Sequence, residues 1–161
     1  NKYYNIKMKK KISSFLIFLF LSSCGYEALY SKKNQISYDF SISELKFNGD
    51  REINLKIKEK LNNYTLSKKI KQFSLKISST SKKTITAKDN AGDATSFKIE
   101  ITVNTEALND GGQRSNFVIL ESFDYNNNSD KFELKSYERE IKNNLSSTAS
   151  NKLILRLSNI Q

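Results

Sequence analysis

The sequence contains no histidine, no tryptophan and no proline, and it has one cysteine and five glycines among 161 residues. Histidine is the commonest general base, the commonest metal ligand and the usual partner of a serine or cysteine nucleophile. Its absence therefore argues against hydrolytic and metal chemistry. A single cysteine excludes an internal disulfide. We expect no enzymatic activity, no metal site and no cofactor.

Acidic residues are the minority among the charged residues. The chain has 27 lysines and arginines against 17 aspartates and glutamates. Five of the bases precede Cys24, where no acidic residue occurs, which leaves 22 bases against 17 acids from Cys24 onward. This mild surplus suits solubility or attraction to an anionic surface, and it is not the footprint of a dedicated nucleic-acid binder. The length fits one domain.

The amino-terminal segment has the pattern of a secretory signal peptide. Met8 is followed by three consecutive lysines and then by an almost wholly apolar run over residues 12–21. The run is shorter than the ~20 residues that a membrane-spanning helix needs, and the bases ahead of it favour a cytoplasmic start. We predict a signal peptide over residues 1–23, with synthesis beginning at Met8.

The signal peptide ends in a lipobox pattern, in which an aliphatic residue and two small residues precede a cysteine: Leu21, Ser22, Ser23 and Cys24. We predict that Cys24 is the first residue of the mature protein and carries its acyl chains, since several chains together give stable anchoring. Gly25, in place of aspartate, resembles the sorting pattern of outer-membrane lipoproteins in enteric bacteria. An ordinary signal peptide with an incidental cysteine is the alternative.

The chain from Cys24 onward divides into a tether and one folded domain. We assign residues 24–39 to the lipidated amino terminus and a polar tether, and residues 40–161 to a single domain. The domain opens with a strand candidate over residues 40–47. A turn follows at residues 48–50, where Asp50 is a suitable N-cap for an amphipathic helix over residues 51–61. The apolar residues of this helix recur every four positions, at Ile53, Ile57 and Leu61.

Three strand candidates follow, separated by turn signals at residues 88–93 and 109–112. Their apolar and polar residues alternate, as in an antiparallel sheet with one wet face. The apolar positions that share a face are Phe73, Leu75, Ile77, Ile85 and Ala87 in the first strand, Phe97, Ile99, Ile101 and Val103 in the second, and Phe117, Ile119, Phe123 and Tyr125 in the third, where Val118 and Leu120 lie opposite.

The last part of the chain has one apolar stripe, which predicts a helix of about six turns packed on the sheet. An amphipathic helix on a membrane surface is the alternative. The stripe consists of Tyr137, Ile141, Leu145, Ala149, Leu153, Leu157 and Ile160.

The order strand, helix, three strands, helix predicts an α+β fold. It is a two-layer sandwich in which two helices cover one face of a four-stranded, mainly antiparallel sheet. The predicted core residues are Ile53, Ile57, Phe97, Ile99, Ile101, Val103, Leu145, Leu153 and Leu157.

Residues 24–30, Cys-Gly-Tyr-Glu-Ala-Leu-Tyr, resemble the mature start of the LPS-assembly lipoprotein LptE family. That start often reads Cys-Gly-aromatic-x-Pro-Leu-Tyr, and Ala28 stands here in place of the proline. The resemblance continues through the order of elements, the hairpin tip at Gly92, the Ile-Thr-Val-Asn strand at residues 101–104 and the long closing helix.

This resemblance implies a non-enzymatic lipoprotein at the periplasmic face of the outer membrane. Family members lie in the lumen of the β-barrel LPS translocon LptD, act as its plug and assembly aid, and bind lipopolysaccharide. The implied partners are therefore LptD, lipopolysaccharide, and the membrane through the acyl chains, with no nucleic acid.

The resemblance also implies two basic positions for lipopolysaccharide, one at the hairpin tip and one near the start of the last helix. Lys135 matches the second position. The first falls on the neutral Asn90, so Lys88 could only substitute for it from nearby. Lipid A is a phosphorylated anion, and lysine binds phosphate as a point charge. The candidate residues are Lys82, Lys83, Lys88, Lys131 and Lys135, with solvated surface charge as the alternative for each.

Three other functions stay open. The first is a generic outer-membrane lipoprotein that acts as a protein-interaction module without binding lipopolysaccharide, and the second is an inner-membrane lipoprotein. The third is a periplasmic enzyme with a Ser-Lys pair such as Ser81 and Lys82, which is disfavoured because neighbours on a strand point to opposite faces. A detergent-stable complex with a barrel protein discriminates against the first, and membrane fractionation tests the second.

Overall fold

The computed structural model describes residues 38–66 and 68–160. The predicted signal peptide, Met8, Cys24, the motif at residues 24–30 and most of the predicted tether lie outside the described residues. The described elements, in chain order, are β1 (Ser41–Gly49), α1 (Arg51–Thr65), β2 (Gln72–Lys88), β3 (Ala94–Asn109), β4 (Arg114–Asn126) and α2 (Lys131–Ser158). The predicted α+β fold and its order of elements are confirmed.

The four strands form one sheet in the order β1-β2-β3-β4. β1 and β2 pair in parallel, because α1 carries the chain back between them, whereas β2–β3 and β3–β4 are antiparallel hairpins. The predicted, mainly antiparallel sheet is therefore confirmed. A register shift between Ile42 and Glu44 marks a bulge in β1.

Helix α1 begins where the sequence predicts and ends later. The Asp50 side chain accepts hydrogen bonds from the backbone N–H groups of Glu52 and Ile53, at 3.0 and 3.2 Å, as expected of an N-cap. The helix runs to Thr65 rather than stopping at residue 61. The added turn is held by packing, since the Tyr64 ring stacks on the Phe40 ring with centroids 4.5 Å apart.

Both helices pack on the same face of the sheet, and the core lies between the layers. Eight of the nine predicted core residues are buried there. The exception is Phe97, which is only partly buried and packs at the margin of the core. It lies towards the β2–β3 turn, past the start of α1, where the Lys83 ammonium covers its ring at 4.0 Å.

Helix α2 is longer than predicted, since it begins at Lys131 behind an N-cap at Asp130. The assignment of Tyr137 to its apolar stripe was wrong, because this side chain is 45% exposed. Leu134 is instead the first buried residue of the helix. The added turns bring Leu134, seven residues before Ile141, onto the core-facing side, and Tyr137 lies at the border of that side.

The β2–β3 hairpin projects past the core, and residues 80–93 are all exposed. Ile85 is therefore 51% exposed, although it shares the core-facing parity of β2. Register shifts on either side of Ala87 pair it with Ser96, which faces away from Phe97. The expectation that Ala87 shares the face of Phe73 and Ile77 was therefore wrong, because a bulge breaks the alternation near the tip.

Candidate functional site

The tip of the β2–β3 hairpin is ordered by its own side chains. The Asp89 carboxylate accepts hydrogen bonds from the backbone N–H groups of Ala91 and Asp93, both at 2.9 Å. Gly92 supplies the positive φ of +89° that this turn requires. Lys88, the last residue of β2, is therefore presented from a structured turn, and the neutral Asn90 lies within it.

The start of α2 lies at the same end of the sheet as this tip. The backbone N–H of Asn127 donates to the Thr95 carbonyl oxygen at 2.8 Å, and the Asn127 side-chain amide donates to the Ala94 carbonyl oxygen at 2.7 Å. These bonds fix the loop after β4 to the first residues of β3. They bring the two basic positions, which the sequence separates by more than 40 residues, to one end of the domain.

Lys83 has a structural environment that differs from those of the other candidates. Its Nζ lies 2.5 Å from Glu138 Oε1 of α2 and 4.0 Å from the centroid of the Phe97 ring. The Tyr125 hydroxyl donates to the same Glu138 oxygen at 2.8 Å. Burial, together with this hydrogen bond to a carboxylate, raises the pKa of Tyr125 well above its usual value. The Lys83 ammonium thus holds helix and sheet together.

The remaining candidates are exposed, and none of them has an ion-pair partner among residues 38–66 and 68–160. Lys88 lies at the hairpin tip, while Lys131 and Lys135 lie in the first turns of α2. Lys82 is opposite Glu100 of β3 on the sheet face that no described helix covers, and so it points away from Lys83. The structure therefore brings Lys88, Lys131 and Lys135 to one end and separates Lys82 from Lys83.

Apolar side chains next to these lysines were missed by the sequence reasoning. Phe132 is 83% exposed, and Phe123 and Tyr137 line a depression of about 720 Å³ between the end of β4 and the start of α2. Phe123 shares the core-facing parity of Ile119 but lies on the edge strand, where it stays 45% exposed. The one available signal was Phe132, which stands outside the apolar stripe of the last helix.

The arrangement has the chemistry to bind an amphiphilic anion. The ammonium groups of Lys88, Lys131 and Lys135 can attract phosphate, and exposed aromatic rings at the same end offer an apolar surface. Within the described part of the chain, no cluster of acidic, cysteine or histidine side chains has the spacing to hold a metal ion. No helix of the described residues is long and apolar enough to cross a membrane.

Comparison with known proteins identifies the fold. No protein-family model matches the sequence, and no curated protein matches it. The crystal structure of rare lipoprotein B from Shewanella oneidensis superposes with a TM-score of 0.56 at 15% identity, over 71% of this chain and 93% of that chain. A minor lipoprotein from Acinetobacter baumannii superposes with a TM-score of 0.54 at 11% identity, over 76% and 92% respectively. The chain thus shares its two-layer fold with two bacterial lipoproteins.

Proposed function

We propose that this protein is a non-enzymatic outer-membrane lipoprotein that binds lipopolysaccharide and helps to assemble and plug the LptD translocon barrel. The observation that carries the proposal is the convergence of Lys88, Lys131 and Lys135 at one end of the domain. The family resemblance of residues 24–30 implies this function, and the likeness in fold to solved lipoproteins supports the resemblance.

The chemistry of the three lysines and the exposed rings at this end fits lipid A, which combines phosphates with acyl chains. Lysine ammonium groups attract phosphate electrostatically, and the exposed Phe123, Phe132 and Tyr137 rings can contact apolar or sugar surfaces beside it. Lys83 has a different role in this proposal, because its charge is engaged by Glu138. We assign lipopolysaccharide contact to Lys88, Lys131 and Lys135.

The uncovered face of the sheet supports the barrel part of the proposal. Along β2 and β3 its middle positions are the small polar residues Ser78, Thr80, Thr102 and Asn104, with the opposite charges Lys82 and Glu100 next to them. A hydrated, polar lumen is typical of outer-membrane barrels, and a polar face can lie against it. Acyl chains on Cys24 would hold the domain beside the barrel and raise its effective concentration there.

The test is a charge reversal at the two ends of the basic site, Lys88→Glu with Lys135→Glu, in the acylated full chain. Binding to lipopolysaccharide is measured at low and high salt, together with co-purification of the barrel. We expect the affinity at low salt to fall by about tenfold, which corresponds to ~1.4 kcal/mol, while the barrel still co-purifies.

The matched control reverses two exposed lysines elsewhere, Lys58→Glu with Lys68→Glu. It has the same net charge as the Lys88→Glu, Lys135→Glu variant. Lys58 lies on α1, and Lys68 precedes β2 at the opposite end of the sheet. Equal losses of lipopolysaccharide affinity in the two double variants would mean that binding depends on overall charge and not on this site. A protein that binds neither lipopolysaccharide nor the barrel would instead be a generic lipoprotein interaction module.

A further inference from the structure

Strand β4 is a long, regular edge of the sheet. It pairs with β3 from Ser96 opposite Asn126 to Leu108 opposite Arg114, without any register shift. Within the described residues, no strand pairs with its other side. Natural edge strands are usually short, bulged, proline-containing, charged or covered, because a long regular edge is a template for another strand. β4 has 13 residues, no proline and no bulge. Its charged residues are Arg114 and Asp124 near its two ends and Glu121, which pairs with Lys152 of α2.

The free backbone groups of this edge can be identified from the two ends of the β3–β4 ladder. The Asn109 N–H donates to the Gln113 carbonyl oxygen, and the Asn127 N–H donates to the Thr95 carbonyl oxygen. Bonded pairs alternate in an antiparallel ladder, so the odd-numbered residues of β4 bond to β3. The even-numbered residues, from Arg114 to Asn126, therefore direct their N–H and C=O groups away from the sheet.

Apolar side chains accompany these free groups. Val118 and Leu120 are 58% and 57% exposed on the uncovered face, and Leu155 of α2 is 49% exposed beside them. A depression of about 320 Å³ runs between this edge and α2, with Lys152 and Arg156 on its helix side. Extended chains can add to a sheet edge in such a setting, with main-chain hydrogen bonds giving affinity and side chains giving specificity.

The side chains of β4 are complementary to those of a second, antiparallel β4. Val118 and Leu120 lie one residue on either side of Ile119, and the opposite charges Arg114 and Asp124 lie five residues on either side. With Ile119 opposite Ile119, each Val118 meets the second copy's Leu120, and each Arg114 meets the second copy's Asp124. A shift of either strand by two residues separates the charges, so the pattern selects one register.

We propose that two copies of this chain associate through their β4 edges, antiparallel and with Ile119 on the two-fold axis, to form one continuous eight-stranded sheet. The contact is isologous, as expected of a two-fold dimer. Arg114 and Asp124 are 63% and 60% exposed, and within the described part of the chain their ion-pair partners are Glu106 and Lys98 of β3, so both can reach across the interface. This association concerns the chain when it is not inside the barrel, and it is independent of the proposed lipopolysaccharide site.

The test is a charge-swap cycle in the acylated full chain, with the dimer fraction measured by native mass spectrometry from detergent micelles over a range of protein concentrations. Arg114→Asp alone and Asp124→Arg alone each place like charges opposite each other, and we expect each to raise the dimer dissociation constant by at least tenfold. The double variant restores opposite charges and should restore dimers. Arg139→Asp, at an exposed arginine of α2, is the control and should leave the dimer unchanged.

A second variant makes the test independent of the charges. Leu120→Lys changes an exposed side chain, so it should leave the thermal midpoint unchanged and abolish the dimer. The proposal is wrong if the wild-type protein stays monomeric at all concentrations. That result also covers the case in which the β4 edge binds a strand of a different protein. A charge-swapped double variant that melts like the wild type but remains monomeric overturns the proposed register.

Discussion

Asp50 and Lys142 join the two helices of this domain, with Asp50 Oδ2 2.7 Å from Lys142 Nζ. Asp50 is the N-cap of α1, and Lys142 lies in the middle of α2, where it also contacts the Glu52 carboxylate at 2.8 Å. Both side chains of the first pair are only 19% exposed, so solvent screens this pair less than it screens a surface ion pair. The helices are therefore fixed to one another by charge as well as by packing.

The two groups shift each other's titration. Burial opposes ionisation of Asp50, but the hydrogen bond from Lys142 and the N–H groups of Ile53 and Glu52 outweigh it and lower the Asp50 pKa. Burial likewise opposes the charge on Lys142, but the carboxylates of Asp50 and Glu52 outweigh it and raise the Lys142 pKa. The pair is therefore charged across the neutral range.

The first prediction concerns Lys142→Met, which should lower the free energy of unfolding by about 1.5–3 kcal/mol at pH 7, since a hydrogen-bonded charge is lost. The contribution of Asp50 is present above its unfolded pKa of about 3.9 and is lost as the pH falls through its lower folded pKa. The contribution of Lys142 is present below about pH 10.4 and is lost as the pH rises through its raised folded pKa. Urea titrations from pH 2 to pH 11 measure the difference in the free energy of unfolding between the wild type and Lys142→Met. A difference that stays constant over that range would contradict the prediction.

The second prediction concerns the close approach of β1 to β2 at Gly49. A Cβ on Gly49 would lie 2.0 Å from the Ser79 carbonyl oxygen, and its φ is +91°. Gly112 has a similar φ of +79° but open space around the added Cβ. Gly112→Ala should cost about 1–2 kcal/mol from backbone strain alone. Gly49→Ala should cost clearly more, as measured by denaturant midpoints, and equal costs would mean that β1 can shift away from Ser79.

The third prediction tests the position of the core along the sheet. Ile101 is fully buried, whereas Ile85, on the core-facing parity of the neighbouring strand, is 51% exposed. Ile101→Ala should cost about 2–5 kcal/mol, because it leaves a cavity between the layers. Ile85→Ala, the matched control, should change stability by less than about 0.5 kcal/mol. A similar fall in thermal midpoint for both variants would place the hairpin within the core.

The fourth prediction concerns the anchor. Cys24→Ala should abolish incorporation of labelled fatty acid and leave an unprocessed precursor, because Cys24 is the single cysteine and the only thiol that can be acylated. Ser31→Ala, in the predicted tether, is the control and should be labelled as in the wild type. Incorporation of the label into the Cys24→Ala protein would show that the anchor is elsewhere.

Much of the fold follows from local sequence patterns. The alternation in β3, the four-residue spacing in α1 and the Asp50 cap each depend on residues close in sequence, and all three predict elements that the structure contains. The errors lie where tertiary contacts change the local pattern. The stacking of Tyr64 on Phe40 lengthens α1, and the bulge at the end of β2 turns Ala87 away from its expected face.

The sequence by itself determined the apolar and polar faces of the elements and therefore the two-layer fold, because side-chain periodicity depends only on backbone geometry. It also indicated the lipobox at Cys24 and the lysine candidates. Only the tertiary structure decided that Lys83 pairs with Glu138, 55 residues away, while Lys88, Lys131 and Lys135 lie at one end without an ion-pair partner among the described residues. Only the order of the strands decided that β4 is an edge of the described sheet. The physical reason is that charge pairing and strand neighbours are set by distances in space, which local patterns along the chain do not specify.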